Sequence, residues 1–335
     1  MTKVPSPDWL IGLEERVVQA LSRGVKPLTA ESVLSIPISE LRYLANLTLD
    51  EVLAVRRKAA LLLQRVPPAT VLSIWSGSRQ DLIVERLTTG CSTIDEALGG
   101  GILSRGVTEI AGESGAGKTQ ICLQLCLTVQ LPRSNGGLGG AAMCISTEEV
   151  FPHKRLDQLV PKFFARHRQF FDRELALTNK IFIEHAASTA DLNSILDRVS
   201  TLPPERQFRL LVIDSIAAIY RSEFSRDQGI AKARSLIQIG GKLHRLSHLH
   251  NLPIICVNQV TSVMGATNTE DSLVPSLGLA WSNIVTVRIM VSKANGNQGM
   301  ECAGRRTLRV VFAPHLPQNR CEFVVCEDGV CSPAS

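Results

Sequence analysis

A glycine-rich stretch with one lysine is the clearest chemical feature of the sequence. It reads Gly112-Glu113-Ser114-Gly115-Ala116-Gly117-Lys118-Thr119 and lies between a β-prone segment, 106–111, and a helix-forming segment, 119–130. Glycines at this spacing let backbone N–H groups turn toward phosphates, and the start of the next helix adds a positive dipole end. Lys118 supplies charge to the β- and γ-phosphates, and Thr119 supplies a hydroxyl ligand to Mg²⁺. The stretch therefore predicts a site for ATP and Mg²⁺.

Two later apolar segments end in polar side chains. The run Leu210-Leu211-Val212-Ile213 ends at Asp214, and the run 253–257 ends at Asn258-Gln259. Asp214 is predicted to face the Mg²⁺ shell, with Ser215 able to bond the same shell. An ordinary strand-end aspartate is the alternative. An amide at Asn258-Gln259 could hydrogen-bond the γ-phosphate or its attacking water, and we place Gln259 among the catalytic candidates. It would report ATP versus ADP to the polar segment 260–282.

A third polar strand end, Ser146-Thr147-Glu148-Glu149, follows the helix after the glycine-rich loop. Glu148 is the candidate general base, which would polarise the water that attacks the γ-phosphate. The alternative is an acidic pair that only starts a helix.

These side chains require an α/β sheet to bring them together. Residues 1–66 read as a small helical domain, and the Pro67-Pro68 pair starts a linker, 67–86, with a β-prone island at Val71-Leu72-Ser73-Ile74-Trp75. From residue 87 strands alternate with helix-length segments, which predicts a mainly parallel sheet with helices on both faces over 87–335. The last third has strands without long helices, so an antiparallel extension is expected there.

Composition sets broad limits. The 335 residues carry a formal net charge of +5, which is compatible with a polyanionic partner but does not establish one. Nine cysteines without metal-ligand spacing fit a reducing compartment, and Cys321, Cys326 and Cys331 recur every five residues. No signal-peptide core and no run of about 20 apolar residues is present. We expect a nuclear protein that is also cytoplasmic and does not contact membranes.

The motifs resemble those of the eukaryotic RecA-type recombinases and their paralogues. The resemblance rests on Thr89-Gly90-Cys91, on the loop with Lys118-Thr119-Gln120, and on Phe151-Pro152-His153-Lys154-Arg155-Leu156, the last being typical of one paralogue. It implies a RecA-like P-loop ATPase core, in which Gln120 joins the nucleotide-binding set and the base lies at the Glu148 position. It also implies that Arg155 stacks on the adenine and that Pro314 to Pro317 cap the nucleotide at a subunit boundary.

The same resemblance implies partners. A paralogue of this kind forms a heterodimer with a sister RecA-like paralogue, the one lettered C, and supports recombinase filaments in homologous recombination repair of double-strand breaks. Single-stranded or branched DNA would be contacted through that complex. The two DNA loops correspond to the segments from Ser222 to Lys232, with Arg226 as the obvious phosphate contact, and from Val260 to Ser282. Val71 and Ile74 occupy the positions of the recombinase polymerisation motif, which predicts docking to a specific partner.

The resemblance implies DNA-dependent ATP hydrolysis, and departures from the recombinase pattern predict that this hydrolysis is weak. Glu149 replaces the glycine that follows the catalytic glutamate, and Phe312-Ala313 replaces the acidic residue before the cap. A self-assembling strand-exchange recombinase and a small-molecule P-loop kinase remain as alternatives. The chain shows no arginine-rich lid of the kinase type.

Overall fold

The computed structural model describes Leu10 and residues 12–26, 28–63, 69–79, 82–147, 151–202, 208–262, 273–294 and 304–333. The chain divides into two compact units, Met1–Ile83 and Val84–Ser335. Most of the segment expected to be a linker, 67–86, therefore falls within the first unit.

The first unit is built of helices. They are α1 (Glu15–Gly24), α2 (Ala30–Ser35), α3 (Ile38–Ala45), α4 (Leu49–Leu63) and α5 (Val71–Trp75). The Thr29 side chain accepts a hydrogen bond from the Ser32 amide at the start of α2. Thr48 and Glu51 exchange side-chain-to-backbone bonds of 2.7 and 3.3 Å at the start of α4, a capping box that satisfies two helix-end N–H groups. The apolar faces of α1, α2, α3 and α4 share one buried core.

The β-prone island at Val71–Trp75 is a correction to the sequence-based expectation, because it forms the short helix α5. The Thr70 side chain accepts from the Ser73 amide at 3.1 Å, which caps a helical turn. A lone strand would leave its backbone groups without partners, whereas a helical turn satisfies part of them within itself. Local capping therefore prevails over β propensity here.

Within the described residues, the second unit is organised around a nine-stranded sheet, in the order β13-β12-β11-β10-β3-β7-β6-β4-β5. Its strands are β3 (Val107–Gly112), β4 (Ala141–Ser146), β5 (Ile181–His185), β6 (Phe208–Asp214), β7 (Ile254–Asn258), β10 (Val287–Lys293), β11 (Arg305–Phe312), β12 (Arg320–Cys326) and β13 (Gly329–Cys331). Two small sheets pair β1 (Arg86–Leu87) with β2 (Ile102–Leu103) and β8 (Val260–Ser262) with β9 (Leu273–Pro275).

Helices cover both faces of the main sheet. They are α6 (Ser92–Ala97), α7 (Lys118–Thr128), α8 (His153–Arg166), α9 (Leu175–Thr178), α10 (Thr189–Ser200), α11 (Ile216–Glu223), α12 (Gly229–His250) and α13 (Gly278–Ser282). Along β6, Leu210 and Val212 pack in the core beside α7, whereas Leu211 and Ile213 pack in the core beside α10 and α12. Strand alternation thus explains the unbroken apolar run, because both faces of this strand are buried.

Strand direction agrees with the expected RecA-like architecture. Strands β3, β7, β6, β4 and β5 are parallel, and β10 joins them parallel to β3. Strands β11, β12 and β13 form the predicted antiparallel extension. Within the described chain, none of the helices has the length and apolar character needed to cross a membrane.

Candidate functional site

The glycine-rich loop joins β3 to α7 in a conformation that requires glycine. Gly115 has φ +74° and Gly117 has φ +101°, both in the left-handed region. A Cβ at Gly112 would lie 2.1 Å from the backbone oxygen of Val291 on the neighbouring strand β10. The loop therefore needs glycine at Gly115 and Gly117 for its backbone conformation and at Gly112 for the close approach of β10.

The lysine and threonine that end the motif are held in place by the loop and by β6. The Lys118 ammonium donates 2.7 Å bonds to the backbone oxygens of both Gly112 and Glu113. The Thr119 hydroxyl donates a 2.7 Å bond to Asp214 Oδ2. The two side chains predicted to hold Mg²⁺ thus meet, although 95 residues separate them in the chain.

The ends of β4 and β6 are joined beside Asp214. The Thr147 hydroxyl accepts from the Ser215 amide and donates to the Ser215 carbonyl, both at 2.9 Å. The Ser215 side chain is buried, and its Oγ has no hydrogen-bond partner in the described part of the protein. A buried hydroxyl next to a carboxylate and a threonine fits the water shell of a Mg²⁺ ion, because the shell would supply the missing partner.

A cavity of about 830 Å³ opens over this arrangement. Residues 112–120 line it, except Ala116, which is buried in the core. Arg155, Asp214, Ser215, Gln259, Arg306 and Cys326 also line it. Among the residues described, no cluster of three or more His, Cys, Asp or Glu side chains is placed to hold a metal. A Mg²⁺ ion here would rely on Thr119, Asp214, water and phosphate oxygens, which is the usual pattern for this ion.

Arg155 lies at the rim of the cavity. Its Nε donates to Gln120 Oε1 at 2.8 Å, and one guanidinium nitrogen donates to the Glu327 carbonyl at 3.2 Å. The guanidinium also contacts the Cys326 carbonyl. Its plane is therefore fixed between the loop helix α7 and the end of β12, which suits a platform for a base.

The two adjacent amides after β7 serve different purposes. Gln259 lines the cavity, and its side-chain oxygen accepts from Arg221 of α11. Asn258 is fully buried and does not line the cavity, so of the two adjacent amides Gln259 is the one that faces the predicted phosphate site. Successive side chains of a strand point to opposite faces, and the Asn258 amide donates a 2.6 Å bond to Glu109 Oε1 instead.

Glu109 is the centre of a buried polar network. Its carboxylate is fully buried in β3 and accepts bonds from Asn258, from Trp281 Nε1 at 2.8 Å, and from Arg288, with which it forms an ion pair. Ser276 Oγ bonds Asn258 Oδ1 at 2.9 Å. The network joins the strand that leads into the phosphate loop to β7, β10 and α13.

Arg306 is a cavity residue that the sequence-based analysis missed. It lies in β11, lines the cavity, and donates from Nε to the Gly115 carbonyl of the phosphate loop at 3.2 Å. The neighbouring Arg305 instead pairs with Glu322 across the β11–β12 hairpin. Only the pairing of β11 within the sheet shows which of the two arginines reaches the loop, and that pairing is not readable from local sequence.

Pro314 and Pro317 do not line the cavity of their own chain, and their role as a cap at a subunit boundary stays a prediction. Both lie in the turn between β11 and β12, whereas the cavity is lined by residues at the other end of these strands, Arg306 and Cys326. Six residues of strand separate Arg306 from Phe312, roughly 20 Å at the usual rise. Contact with nucleotide by this turn would require a second subunit.

Several residues predicted to act in catalysis or DNA binding lie either outside the described residues or between Arg226 and Lys232. Glu148 lies outside the described residues, as do residues 263–272 of the second DNA loop. Arg226 begins a short 3-10 turn, Arg226–Gln228, and Lys232 is half-buried in α12.

Behind the site, burial and the nearby Asp214 raise the pKa of Cys122 well above its usual value, so this thiol stays protonated and is no nucleophile.

The chain is similar to known DNA repair and recombination proteins. The family model described as Rad51 matches residues 78–333. The chain is 37% identical over 344 residues to the mouse protein named DNA repair protein XRCC3, which covers 96% of each chain. It is 34% identical to the Arabidopsis thaliana homolog of XRCC3, covering 74% of this chain and 93% of that protein. It is 30% identical to the DNA repair and recombination protein RadA of Aeropyrum pernix, covering 92% and 95%.

Proposed function

This chain belongs to the Rad51 family, and from that premise we propose that it is the ATP- and Mg²⁺-binding subunit of a recombinase-paralogue complex that acts in homologous recombination repair of DNA. The observation that carries the nucleotide part is the contact between Thr119 and Asp214 beneath the glycine-rich loop. Relatives named as DNA repair and recombination proteins support the pathway. That pathway would place the protein in the nucleus.

Each side chain has a task in this proposal. The amides of residues 112–117 and the Lys118 ammonium bind the phosphates, and the Thr119–Asp214 pair holds the ion. Arg155 offers its fixed guanidinium to the adenine. Bound ATP–Mg²⁺ supplies a phosphoryl group that water can attack, and Gln259 would orient that water. Glu148 is the proposed base, and Glu149 beside it supports slow hydrolysis.

The nucleotide claim is tested on binding rather than turnover. Lys118→Ala removes the loop's only side-chain cation, so ATP–Mg²⁺ affinity should fall at least about 10-fold, as expected for a lost charge-assisted bond. Lys242→Ala is the matched control. Lys242 of α12 forms a 2.7 Å ion pair with Asp197 of α10 and does not line the cavity. Calorimetry on both variants decides the claim. Equal affinity of Lys118→Ala and Lys242→Ala would refute it.

The partner proposed is a sister RecA-like paralogue, the one lettered C, in a heterodimer. Helix α5 supports this because it leaves apolar side chains in solvent: Val71 is 61% exposed, Leu72 73% and Trp75 83%. Exposed apolar groups so close together commonly mark a protein interface. Ile74, the second predicted position, is half-buried, so it contributes less exposed apolar surface than these three residues.

The interface is tested by Val71→Asp in a pull-down with the sister paralogue. Leu61→Asp is the control, because Leu61 is 64% exposed on α4 and carries no predicted contact. We expect Val71→Asp to lose the partner and Leu61→Asp to keep it. Retention by both variants would exclude α5 as the contact.

The two alternatives fare differently. Family membership argues against a small-molecule kinase. A self-assembling recombinase predicts filaments of the purified chain alone on single-stranded DNA, whereas a paralogue subunit predicts a discrete one-to-one complex. Mass measurement of the native particle separates the two. DNA contact through the Arg226 and Lys232 segment is proposed only within that complex.

A further inference from the structure

Two of the evenly spaced C-terminal cysteines meet at the cavity rim. Cys326 ends β12 and Cys331 ends β13, and their sulfur atoms are 3.9 Å apart. The strands are joined by the two-residue turn Glu327-Asp328, since Cys326 pairs with Gly329. Cys326 is exposed and Cys331 is half-buried. The third member, Cys321, is half-buried at the start of β12 and pairs with Leu308 of β11.

The same hairpin holds the residue proposed to bind the base. Arg155 donates to the carbonyls of Cys326 and Glu327. The turn is anchored on α8 by ion pairs from Lys162 to Glu327 and Asp328, at 3.1 and 2.9 Å. A shift in the hairpin would therefore move the acceptors that orient the Arg155 guanidinium.

We propose that Cys326 and Cys331 form a dithiol that peroxide oxidises to a disulfide, and that this modification weakens nucleotide binding at the neighbouring cavity. The effect on the cavity rests on the proposed nucleotide-binding function, whereas the disulfide itself does not. Reversible oxidation of this kind suits a reducing compartment, where disulfides are mostly transient.

The chemistry balances with hydrogen peroxide as the oxidant. The Cys326 thiolate attacks one peroxide oxygen, so an S–O bond forms, the O–O bond breaks, and the second oxygen leaves as water after protonation. The Cys331 sulfur then attacks Cys326 sulfenic acid, so the S–S bond forms and the S–O bond breaks with loss of a second water. Two thiols are oxidised and one peroxide is reduced to two waters.

Exposure assigns the order of attack and the selectivity. Peroxide reaches the exposed Cys326 first, whereas Cys331 is half-buried and burial raises its pKa, so Cys331 is the slower of the two toward peroxide and reacts second. Cys126 and Cys144 lie closer together, at 3.3 Å, but both are buried in the core. The hydrogen bond to Cys144 and burial raise the pKa of Cys126 well above its usual value, so this pair is protected.

Formation of the Cys326–Cys331 disulfide would move the end of β12. A disulfide requires about 2.0 Å between sulfurs, so the pair must close by about 2 Å from its present separation. That closure draws in the end of β12, whose carbonyls hold Arg155. Loss of one such hydrogen bond predicts ATP affinity reduced about 3- to 10-fold in the oxidised protein.

The test treats the full-length chain with hydrogen peroxide and maps disulfides by peptide mass before and after reduction. We expect a Cys326–Cys331 linkage in the wild type and in Cys321→Ser, and none in Cys326→Ser or Cys331→Ser. A different pairing, or thiols that remain free under conditions that oxidise glutathione, would overturn the site.

Calorimetry with ATP–Mg²⁺ tests the second half. Affinity should fall on oxidation of the wild type and of Cys321→Ser, return on reduction, and stay constant in Cys326→Ser. Unchanged affinity in a protein with the mapped linkage overturns the regulatory role. If the reduced protein binds no nucleotide, the proposed function and this regulatory role fall together, while the peptide map still decides the dithiol.

Discussion

Replacing the buried carboxylate of Glu109 by an amide should strongly destabilise the second unit. Glu109→Gln keeps the size and shape of the side chain, so packing is nearly unchanged. It removes the charge that Arg288 faces, and the Arg288 side chain is only 15% exposed. The new NH₂ group replaces one of the two acceptor oxygens, so it meets either Arg288 or the Asn258 and Trp281 pair with a donor where an acceptor is required.

The magnitude follows from burial. Removing one partner of a buried ion pair costs about 3 to 5 kcal/mol, since the other charge is left uncompensated. For a unit of this size that loss corresponds to roughly 6 to 20 °C in melting temperature. Glu184→Gln is the matched control, because its ion pair with Arg198 is exposed, at 36% and 58%, and such pairs contribute about 0 to 1 kcal/mol.

Thermal melts by circular dichroism separate the two cases, and a double variant tests the cause. Arg288→Met in the Glu109→Gln background removes the stranded charge, so the double variant should lose much less than the sum of the single losses. Additive losses, or a Glu109→Gln melt as mild as that of Glu184→Gln, would refute the assignment of Glu109 as an energetic centre.

Three further expectations concern the site and its surroundings. Arg306→Ala should weaken ATP binding about 10-fold because the Gly115 carbonyl loses a charged donor, while Arg305→Ala should bind as the wild type; calorimetry on the pair checks this. Thr119→Val should bind nucleotide with little gain from added Mg²⁺, which a titration with and without chelator measures. Burial, aided by Arg166, lowers the pKa of His167, so the unfolded chain binds a proton at a higher pH than the folded chain does. The free energy of unfolding should therefore fall as the pH drops through the ordinary histidine pKa. Denaturant midpoints at neutral and mildly acid pH, compared with those of His167→Gln, test the direction of this change.

The local sequence pattern was sufficient to predict the strand ends that form the candidate nucleotide site. Glycines around Lys118 and an apolar run ending at Asp214 predicted two strand ends in a parallel sheet, and parallel strands bring such ends to one edge. The structure accordingly brings Thr119 to Asp214. The parallel sheet was also predictable, because a strand that is buried on both faces gives a continuous apolar run. The antiparallel extension was predictable because its strands are not separated by long helices.

Long-range pairing and local capping were not predictable in this way. The island at Val71–Trp75 has β-prone composition, yet Thr70 caps it as a helix. Asn258 and Gln259 look equivalent in sequence, although strand alternation sends one into the core toward Glu109. That alternation could have been applied in advance, whereas the carboxylate that Asn258 meets lies 149 residues away.

The geometry of the β11–β12 hairpin limits which nucleotide the predicted proline cap could reach. One end of the hairpin brings Arg306 and Cys326 to the chain's own phosphate loop, and the other end carries Pro314 and Pro317. A rigid pair of strands cannot present both ends to the same nucleotide. If the proline turn covers a nucleotide, it covers the one bound by an adjacent subunit. In that case the hairpin would be a physical link between the two neighbouring sites.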